Sequence, residues 1–231
     1  MRRLASAAAA LLAIAACAGV GAKPPPRDGV AAHGAPALAT ALGAPPAAGS
    51  DEAKADLAIV LWMQRTRRDE DVARARRDIG LGLEAFASAL GAGFDVGSHP
   101  RTRALIDRAH ASATAPIRDA KARFRRARPY EADRRVTPAV PPEDTPSFPS
   151  SHATRGVLVA RVLAALAPSR GDALRDCGQR VGFDRVLAGV HYPTDVLGGQ
   201  RLGEALAAAL LEDPAFAREL EAVRAAEWVT L

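Results

Sequence analysis

Apolar residues recur at helical spacing through most of the chain that follows residue 50. In the clearest stretch, Leu202, Leu206 and Leu210 follow one another at every fourth position. Runs that alternate apolar and polar residues, as half-buried strands do, are scarce, and no segment repeats along the sequence. We therefore predict an all-α fold, a single-domain helical bundle with glycine and proline between the helices.

Residues 1–22 resemble a secretory signal. Two arginines follow the initiator methionine, and an apolar stretch too short to span a membrane continues to Ala16. We therefore expect export to the periplasm. Residues 14–17 also resemble a lipobox, which would make Cys17 the lipidated first residue of an outer-membrane lipoprotein. Ordinary cleavage after Ala18 or Ala22 fits the same stretch, so both alternatives stay open.

Residues 23–50 are rich in alanine, glycine and proline and show no periodicity, so we predict a tether or a loosely packed arm. The remaining residues, 51–231, are enough for one domain with a sizeable apolar interior. Cys177 is the only cysteine besides Cys17. Processing at or after Cys17 would leave no disulfide within the domain, so the apolar core must supply its stability.

Three separated clusters of polar residues could carry chemistry, and the first is basic. It reads Lys121-Ala-Arg-Phe-Arg-Arg-Ala-Arg128-Pro129. On a continuous helix, Lys121 and Arg128 would project from one face about two turns, roughly 10 Å, apart, so both cations could reach one anion. Pro129 disfavours helical geometry at Arg128, which should place that guanidinium at a helix end, free to bind oxygens in pairs. The same stretch also fits an ordinary solvated basic face.

The second cluster, Pro149-Ser150-Ser151-His152, precedes the apolar run 157–166 and has the features of a helix start. Free N–H groups at such a start favour an anion, and the Ser150 hydroxyl could lie beside phosphate oxygens. His152 would then lie in the first turn, close to whatever the helix end binds. The alternative is an ordinary serine cap followed by a partly exposed histidine.

In the third cluster, Arg185 precedes His191 by six residues and Asp195 follows it by four. Asp195 can accept a hydrogen bond from one ring nitrogen, which leaves the other nitrogen as a nucleophile. Gly189 and Pro193 predict that His191 lies on a turn between two helices. A metal site is the competing interpretation, but neither an HExxH motif nor a Cys/His ligand set is present.

The order and spacing of the three clusters resemble the signature of the PAP2 superfamily, K-x6-RP, PSGH and SR-x5-H-x3-D. Within that superfamily the chain is most similar to the class A bacterial nonspecific acid phosphatases, over about residues 62–220. The resemblance implies an all-α bundle of the acid phosphatase type. It also implies metal-independent hydrolysis of phosphate monoesters, with broad specificity, an acid optimum and no cofactor.

The resemblance further implies a role for each matching residue. His191 would attack phosphorus and become a phosphohistidine, and Asp195 would orient it. His152 would protonate the departing alkoxide and then activate the hydrolytic water. The phosphate oxygens would be held by three cations, one hydroxyl and one backbone N–H, which belong to Lys121, Arg128, Arg185, Ser150 and Ser151. Fixed cations of this kind can supply the charge stabilisation that metal ions give other phosphatases, so no metal is required.

Two positions depart from the family pattern. Ser151 stands where the family has glycine, and a left-handed backbone there would cost a serine roughly 1–2 kcal/mol. Asp184 replaces the serine before Arg185, and its carboxylate could either pair with Arg185 or repel a dianionic substrate. Both changes bear on rate and substrate preference more than on reaction type.

The net charge of +5 and the isoelectric point of about 9.8 favour anionic partners. Only 4% of the residues are aromatic, so nucleic-acid bases would find few stacking surfaces. We therefore expect small-molecule phosphate monoesters as partners and no nucleic acid.

After residue 22 no uncharged apolar stretch reaches about twenty residues, which predicts no membrane-spanning segment. The oligomeric state is not indicated.

Two alternatives stay open. Related enzymes bind vanadate with the same cluster, so the motif also fits a vanadium-dependent haloperoxidase, although such chains are typically larger. The other alternative is a non-catalytic anion-binding envelope protein, in which Ser151 and Asp184 would mark a decayed site.

Overall fold

The computed structural model describes residues 35–228, and within them the regular structure is α-helical with short 3₁₀ turns and no strand. This confirms the predicted all-α fold. The helices are α1 (Ala35–Leu42), α2 (Asp51–Thr66), α3 (Asp69–Arg77), α4 (Ala87–Leu90), α5 (Pro100–Phe124), α6 (Pro129–Ala132), α7 (Ser151–Leu166), α8 (Gly171–Leu187), α9 (Pro193–Glu212) and α10 (Pro214–Glu227). The predicted signal sequence and Cys17 lie outside the described residues.

Helix α7 is the centre of the bundle and packs against α5, α8 and α9. Glycines bring its backbone close to its neighbours. A Cβ added to Gly178 on α8 would lie only 2.6 Å from the carbonyl oxygen of Gly156 on α7. The starts of α7 and α9 also meet, because the Ser150 N–H donates to the Asp195 carbonyl oxygen over 3.0 Å. The fold therefore places the second and third polar clusters side by side.

The main apolar core joins α7, α8 and α9 to α1, α5 and α10. Its largest buried side chains include Phe86, Leu105, Leu158, Leu163, Leu206 and Phe216. Burying each of them contributes about 1.5–3 kcal/mol relative to leaving it exposed. Cys177 is a buried free thiol, so this core holds the described part of the chain together without a disulfide.

Residues 35–42 differ from the tether predicted over 23–50. They form α1, which packs against α9, with Leu38 and Leu42 buried. Two leucines four positions apart share one helix face, and that face is covered once α9 provides a surface. In an alanine-rich stretch so short a pattern is easily missed. The folded unit therefore includes α1, while the other domain limits stay predictions.

The chain also leaves α5 earlier than the sequence predicts. Arg125 adopts a left-handed backbone (φ 48°, ψ 34°) that ends α5 at Phe124. Arg128 lies beyond that turn in extended backbone (φ −74°, ψ 157°), and Pro129 opens α6. The expectation that Lys121 and Arg128 project from one helix face is therefore wrong. A chain reversal, and not helical periodicity, sets their relative positions.

None of the helices in the described range has both the length and the apolar composition needed to cross a bilayer.

Candidate active site

The imidazole of His191 lies at the meeting point of the three polar clusters. It sits on the turn between α8 and α9, as predicted, and is fully buried. Its Nδ1 lies 3.3 Å from Asp195 Oδ2, and its Nε2 lies 3.2 Å from Arg128 Nη1. A neutral His191 that donates from Nδ1 to the carboxylate keeps a lone pair on Nε2, the nitrogen that faces the cation.

Asp195 accepts hydrogen bonds from three donors besides His191. Its Oδ2 accepts hydrogen bonds from the Ser147 hydroxyl (2.5 Å) and the Tyr192 N–H (2.9 Å), and its Oδ1 accepts from Arg126 Nη1 (2.6 Å). Arg126 also reaches Asp56 on α2 over 2.8 Å. Burial would raise the pKa of Asp195, but the hydrogen bond from His191 and the nearby charges outweigh it and lower the pKa. The carboxylate is therefore ionised and fixed in place. We call His191, Asp195, Ser147 and Arg126 the nucleophile side of the site.

The sequence predicts Asp195 but not Arg126 or Ser147 as members of this group. Arg126 lies in the basic stretch that could equally be a solvated surface, and its partners are 69 and 70 positions away in the sequence. Only the fold brings them together.

Arg128 is completely buried, which a solvated basic face would not require. Its Nε donates to the Thr145 carbonyl oxygen (2.8 Å) and its Nη1 to the Val190 carbonyl oxygen (2.9 Å). Its Nη2 donates to Glu143 Oε2 (2.7 Å). Arg128 is thus a fixed part of the wall beside His191, rather than a guanidinium free at a helix end.

Glu143 is the residue that the sequence analysis missed most clearly. Its carboxylate bridges two predicted phosphate ligands, with Oε2 2.7 Å from Arg128 Nη2 and Oε1 2.9 Å from Arg185 Nη2. Burial would raise the pKa of Glu143, but Arg128, both site histidines and Arg185 outweigh it and lower the pKa to about 2. One carboxylate therefore occupies the space between the two arginines as a stable anion. No motif predicts this, because a glutamate in a proline-rich loop has no distinctive spacing.

Arg185 has two buried donor groups without a hydrogen-bond partner among the described residues. It is 3% exposed, yet its Nε and Nη1 have no hydrogen-bond partner within the described residues. Buried donors without partners are costly and rare in folded proteins, so such a pair needs an explanation. An anion with several oxygens would satisfy both nitrogens while it contacts Arg128.

Lys121 lies in the last turn of α5 and is buried, with its Nζ donating to the Pro146 carbonyl oxygen. Burial and the neighbouring Arg128 lower the pKa of Lys121 to about 8. The ammonium still carries its charge in acid and at neutrality. Arg128, Arg185 and Lys121 together outnumber Glu143, so this part of the site has an excess of positive charge. We call these four residues and His152 the anion side.

The start of α7 is as predicted. Ser150 is the N-cap residue, and its buried hydroxyl oxygen accepts a hydrogen bond from the Ala153 N–H (3.3 Å). Ser151 is the first helical residue and His152 the second. His152 Nε2 lies 3.2 Å from the Ile79 carbonyl oxygen, whereas its Nδ1 is buried and has no hydrogen-bond partner in the described part of the chain. When Nε2 donates to Ile79, Nδ1 is the nitrogen left for other chemistry.

Both histidines have depressed pKa values. Burial lowers the pKa of His191 to about 4, with Arg128 and Lys121 adding to the effect against Asp195. Burial and then Arg185 lower the pKa of His152 to about 3, while Glu143 acts to raise it. With Glu143 as the anion in place, both rings are neutral at mildly acidic pH. A more highly charged anion in the same position would favour protonation of His152.

The structure resolves both departures from the family pattern. Ser151 lies in the first turn of α7 and is not among the described non-glycine residues with positive φ, which are Leu81 and Arg125. Serine therefore causes no left-handed strain there. Asp184 forms no ion pair with Arg185; it forms a bidentate ion pair with Arg74 on α3, over 2.7 and 2.9 Å. Its carboxylate ties α3 to α8.

Within residues 35–228, no three or more His, Cys, Asp and Glu side chains are grouped so that they could hold a metal ion. The metal independence expected from the resemblance stays a prediction.

The sequence profile of the PAP2 superfamily matches residues 109–218, which include all eight predicted site residues. The chain is 32% identical to an acid phosphatase of Zymomonas mobilis over 146 residues, 62% of this chain and 55% of that protein. It is 38% identical to a non-specific acid phosphatase of Salmonella typhimurium over 78 residues, 34% of this chain and 31% of that protein. With a non-specific acid phosphatase of Providencia stuartii it shares 26% identity over 166 residues, 69% of this chain and 66% of that protein.

The matched segments thus span less than two thirds of each of these relatives. Among solved structures, the fold is similar to the crystal structure of a transmembrane PAP2 type phosphatidylglycerolphosphate phosphatase from Bacillus subtilis. The TM-score is 0.50 at 22% sequence identity, over 74% of this chain and 87% of that one. At this identity the likeness concerns the fold alone.

Proposed function

Because the PAP2 superfamily profile matches residues 109–218 and an acid phosphatase is 32% identical over 146 residues, we propose that the chain is a PAP2-type acid phosphatase. It would be a metal-independent hydrolase of small phosphate monoesters that works through a phosphohistidine on His191. The observation that carries this proposal is the setting of His191. Asp195 accepts a hydrogen bond from the Nδ1 N–H of His191, which leaves Nε2 unprotonated, and Arg128 Nη1 lies 3.2 Å from that nitrogen. A nucleophile beside a fixed cation suits attack on an anionic phosphoryl group.

Substrate binding requires that Glu143 give way. The phosphate takes the place of the Glu143 carboxylate between Arg128 and Arg185, and its additional oxygens reach the unpartnered Nε and Nη1 of Arg185. Lys121, the Ser150 hydroxyl and the Ser151 N–H complete the site. A phosphate dianion carries more charge and more acceptor oxygens than one carboxylate, which favours the exchange.

In the first half-reaction the Nε2 lone pair of His191 attacks phosphorus, and the P–N bond forms as the P–O bond to the leaving group breaks. His152 donates a proton to the departing alkoxide, which leaves as the alcohol. In the second half-reaction neutral His152 takes a proton from water, and the resulting oxygen attacks phosphorus while the P–N bond breaks. Inorganic phosphate departs, His191 recovers its lone pair, and His152 again holds the proton. Asp195 orients His191 and stabilises the positive charge that its ring gains.

This scheme favours mild acid. His152 must be protonated to donate, whereas His191 must be neutral to attack. The two rings and Glu143 interact, so they titrate as a coupled set. A bound phosphate dianion raises the pKa of His152 above its value of about 3 in the substrate-free site. Activity should therefore fall as the pH rises from mild acid towards alkaline values.

The test is hydrolysis of p-nitrophenyl phosphate in excess EDTA, together with alkaline quenching of the enzyme during turnover to trap phosphohistidine. We expect full activity in EDTA and a phosphoryl label on His191. His191→Ala should show neither turnover nor label, whereas His99→Gln, a control at a histidine outside the site, should show both. Loss of activity in EDTA that a divalent ion restores would refute the metal-free mechanism, and label on a residue other than His191 would refute its role.

We also propose that the protein is exported to the periplasm, in line with the signal expected in residues 1–22. Intact-mass measurement of protein from the membrane fraction tests lipidation at Cys17. A mass that corresponds to an N-terminus at Gly19 or Lys23 would rule the lipid anchor out.

A further inference from the structure

A cleft of about 480 Å³ lies between α5 and α7 and borders the proposed phosphate site. Thr114 and Arg118 line it from α5, Arg155 from α7, and Arg125 from the turn after α5. The mechanism proposed above uses none of these residues.

The cleft is strongly cationic. Arg118, Lys121, Arg125 and Arg155 are among its lining residues, and no carboxylate is. Within the described residues, the Arg125 side chain has no hydrogen bond or ion pair, and Arg155 donates only to the Thr114 hydroxyl, over 3.3 Å. Arg118 pairs with its own neighbour, Asp119, but both side chains are largely exposed, so this pair neutralises the arginine only weakly. The guanidinium groups are thus available to an anion.

The cleft and the phosphate site share a wall. Lys121 and Ser151, both proposed phosphate ligands, also line the cleft. Thr145 is a third common residue, because its carbonyl oxygen accepts a hydrogen bond from Arg128 Nε over 2.8 Å. Arg155 follows Ser151 by four residues on α7, and Arg118 precedes Lys121 by three on α5, so each arginine is next to a phosphate ligand on the same helix face. An ester bound at His191 can therefore extend into the cleft.

We propose that this cleft binds a second phosphate group of the substrate, so that the enzyme prefers small organic bisphosphates to the corresponding monophosphates. The inference rests on the proposed function and narrows its substrate class. Guanidinium groups match phosphate oxygens in pairs, and burial of Arg155, which lowers its pKa, strengthens its interaction with an anion. A neutral leaving group gains none of these contacts.

The experiment compares kcat/KM for a sugar bisphosphate and the corresponding sugar monophosphate, with p-nitrophenyl phosphate as a substrate that lacks a second anionic group. We expect the wild-type enzyme to favour the bisphosphate by at least about tenfold, since two charge-assisted contacts are added. The double variant Arg125→Gln/Arg155→Gln should lose most of this preference and hydrolyse p-nitrophenyl phosphate within about twofold of wild type. The matched control is Arg161→Gln, an arginine further along α7 that pairs with Glu204 and does not line the cleft; it should keep the preference.

An unchanged preference in the double variant, or a wild-type ratio near one, would overturn the cleft assignment while p-nitrophenyl phosphate hydrolysis left the proposed function standing. Absence of all hydrolysis would refute the proposed function instead. In that event calorimetric titration with the same two sugar phosphates still decides the matter, because tighter binding of the bisphosphate must depend on Arg125 and Arg155. If the double variant does not fold, each single variant should show a smaller loss of preference.

Discussion

The nucleophile side and the anion side of the site meet at Arg128 but are built differently. On the nucleophile side both carboxylate oxygens of Asp195 have partners: Asp195 accepts hydrogen bonds from His191, Ser147, Tyr192 and Arg126. On the anion side Arg185 Nε, Arg185 Nη1 and His152 Nδ1 are buried without partners in the described part of the chain. The nucleophile side therefore satisfies its hydrogen bonds without a ligand, whereas the anion side has buried polar atoms that a ligand could satisfy. In the proposed mechanism, His191 is therefore held in place before the substrate binds, and binding rearranges only the anion side.

The largest effect should come from a substitution on the nucleophile side. Asp195→Asn keeps the size of the side chain but removes its charge, so His191 loses its orientation and Arg126 loses a buried partner. We expect kcat to fall by roughly 10²–10³-fold with KM little changed. Steady-state kinetics with p-nitrophenyl phosphate measures this.

Asp56→Asn is the matched control, because Asp56 also pairs with Arg126 but makes no hydrogen bond to His191. It should lower the melting temperature while kcat stays within about threefold of wild type. Equal losses of kcat in both variants would mean that Asp195 acts only by holding the fold.

Next in size is the pH dependence of stability that His191 imposes. Its pKa is about 4 in the folded protein against an ordinary value of 6.5. Between these values the unfolded chain binds a proton that the folded protein does not, so stability falls as the pH drops from 6.5 towards 4. The loss attributable to this group is on the order of 3 kcal/mol. Urea unfolding at several pH values should show a shallower slope for His191→Gln than for wild type; parallel curves would contradict the depressed pKa.

A smaller effect, in the opposite direction, should follow from Glu143→Gln. Removing the carboxylate removes the anion that competes with phosphate for Arg128 and Arg185. We expect inorganic phosphate to inhibit this variant about tenfold more strongly than wild type. Glu131→Gln, which changes an acid on the neighbouring helix α6, should leave the inhibition constant unaltered. Weaker inhibition of Glu143→Gln would show that Glu143 supports phosphate binding rather than opposing it.

The smallest effect on catalysis should come from Asp184→Ser, which restores the residue of the family pattern. Its carboxylate pairs with Arg74 and makes no side-chain hydrogen bond to a predicted site residue, so kcat/KM should stay within about twofold of wild type. The loss of a partly buried bidentate pair should cost about 1–3 kcal/mol of unfolding free energy, measurable by urea denaturation. Arg74→Gln should give a similar loss, and a clear rise or fall in kcat/KM would show that Asp184 does influence the substrate.

The sequence predicts the parts of this site that depend on neighbours along the chain. The start of α7 at Ser150, the turn that carries His191 and the contact to Asp195 four residues later all follow from local rules for caps, turns and spacing. Long-range pairs do not. Arg74 and Asp184 are 110 positions apart, and Arg185 and Glu143 are 42 apart, so nothing in the local pattern relates them. The helix predicted through Arg128 failed because one left-handed residue, Arg125, ended α5 first.

In the proposed reaction, the carboxylate of Glu143 has a consequence for the release of the product. When inorganic phosphate departs, the two guanidinium groups would otherwise be left facing each other with no counter-ion. The Glu143 side chain is tethered beside Arg128 and Arg185, so it can return between them at once. Its effective local concentration there exceeds that of dissolved phosphate. Product escape should then be quick, and the protein should go on working where phosphate is plentiful.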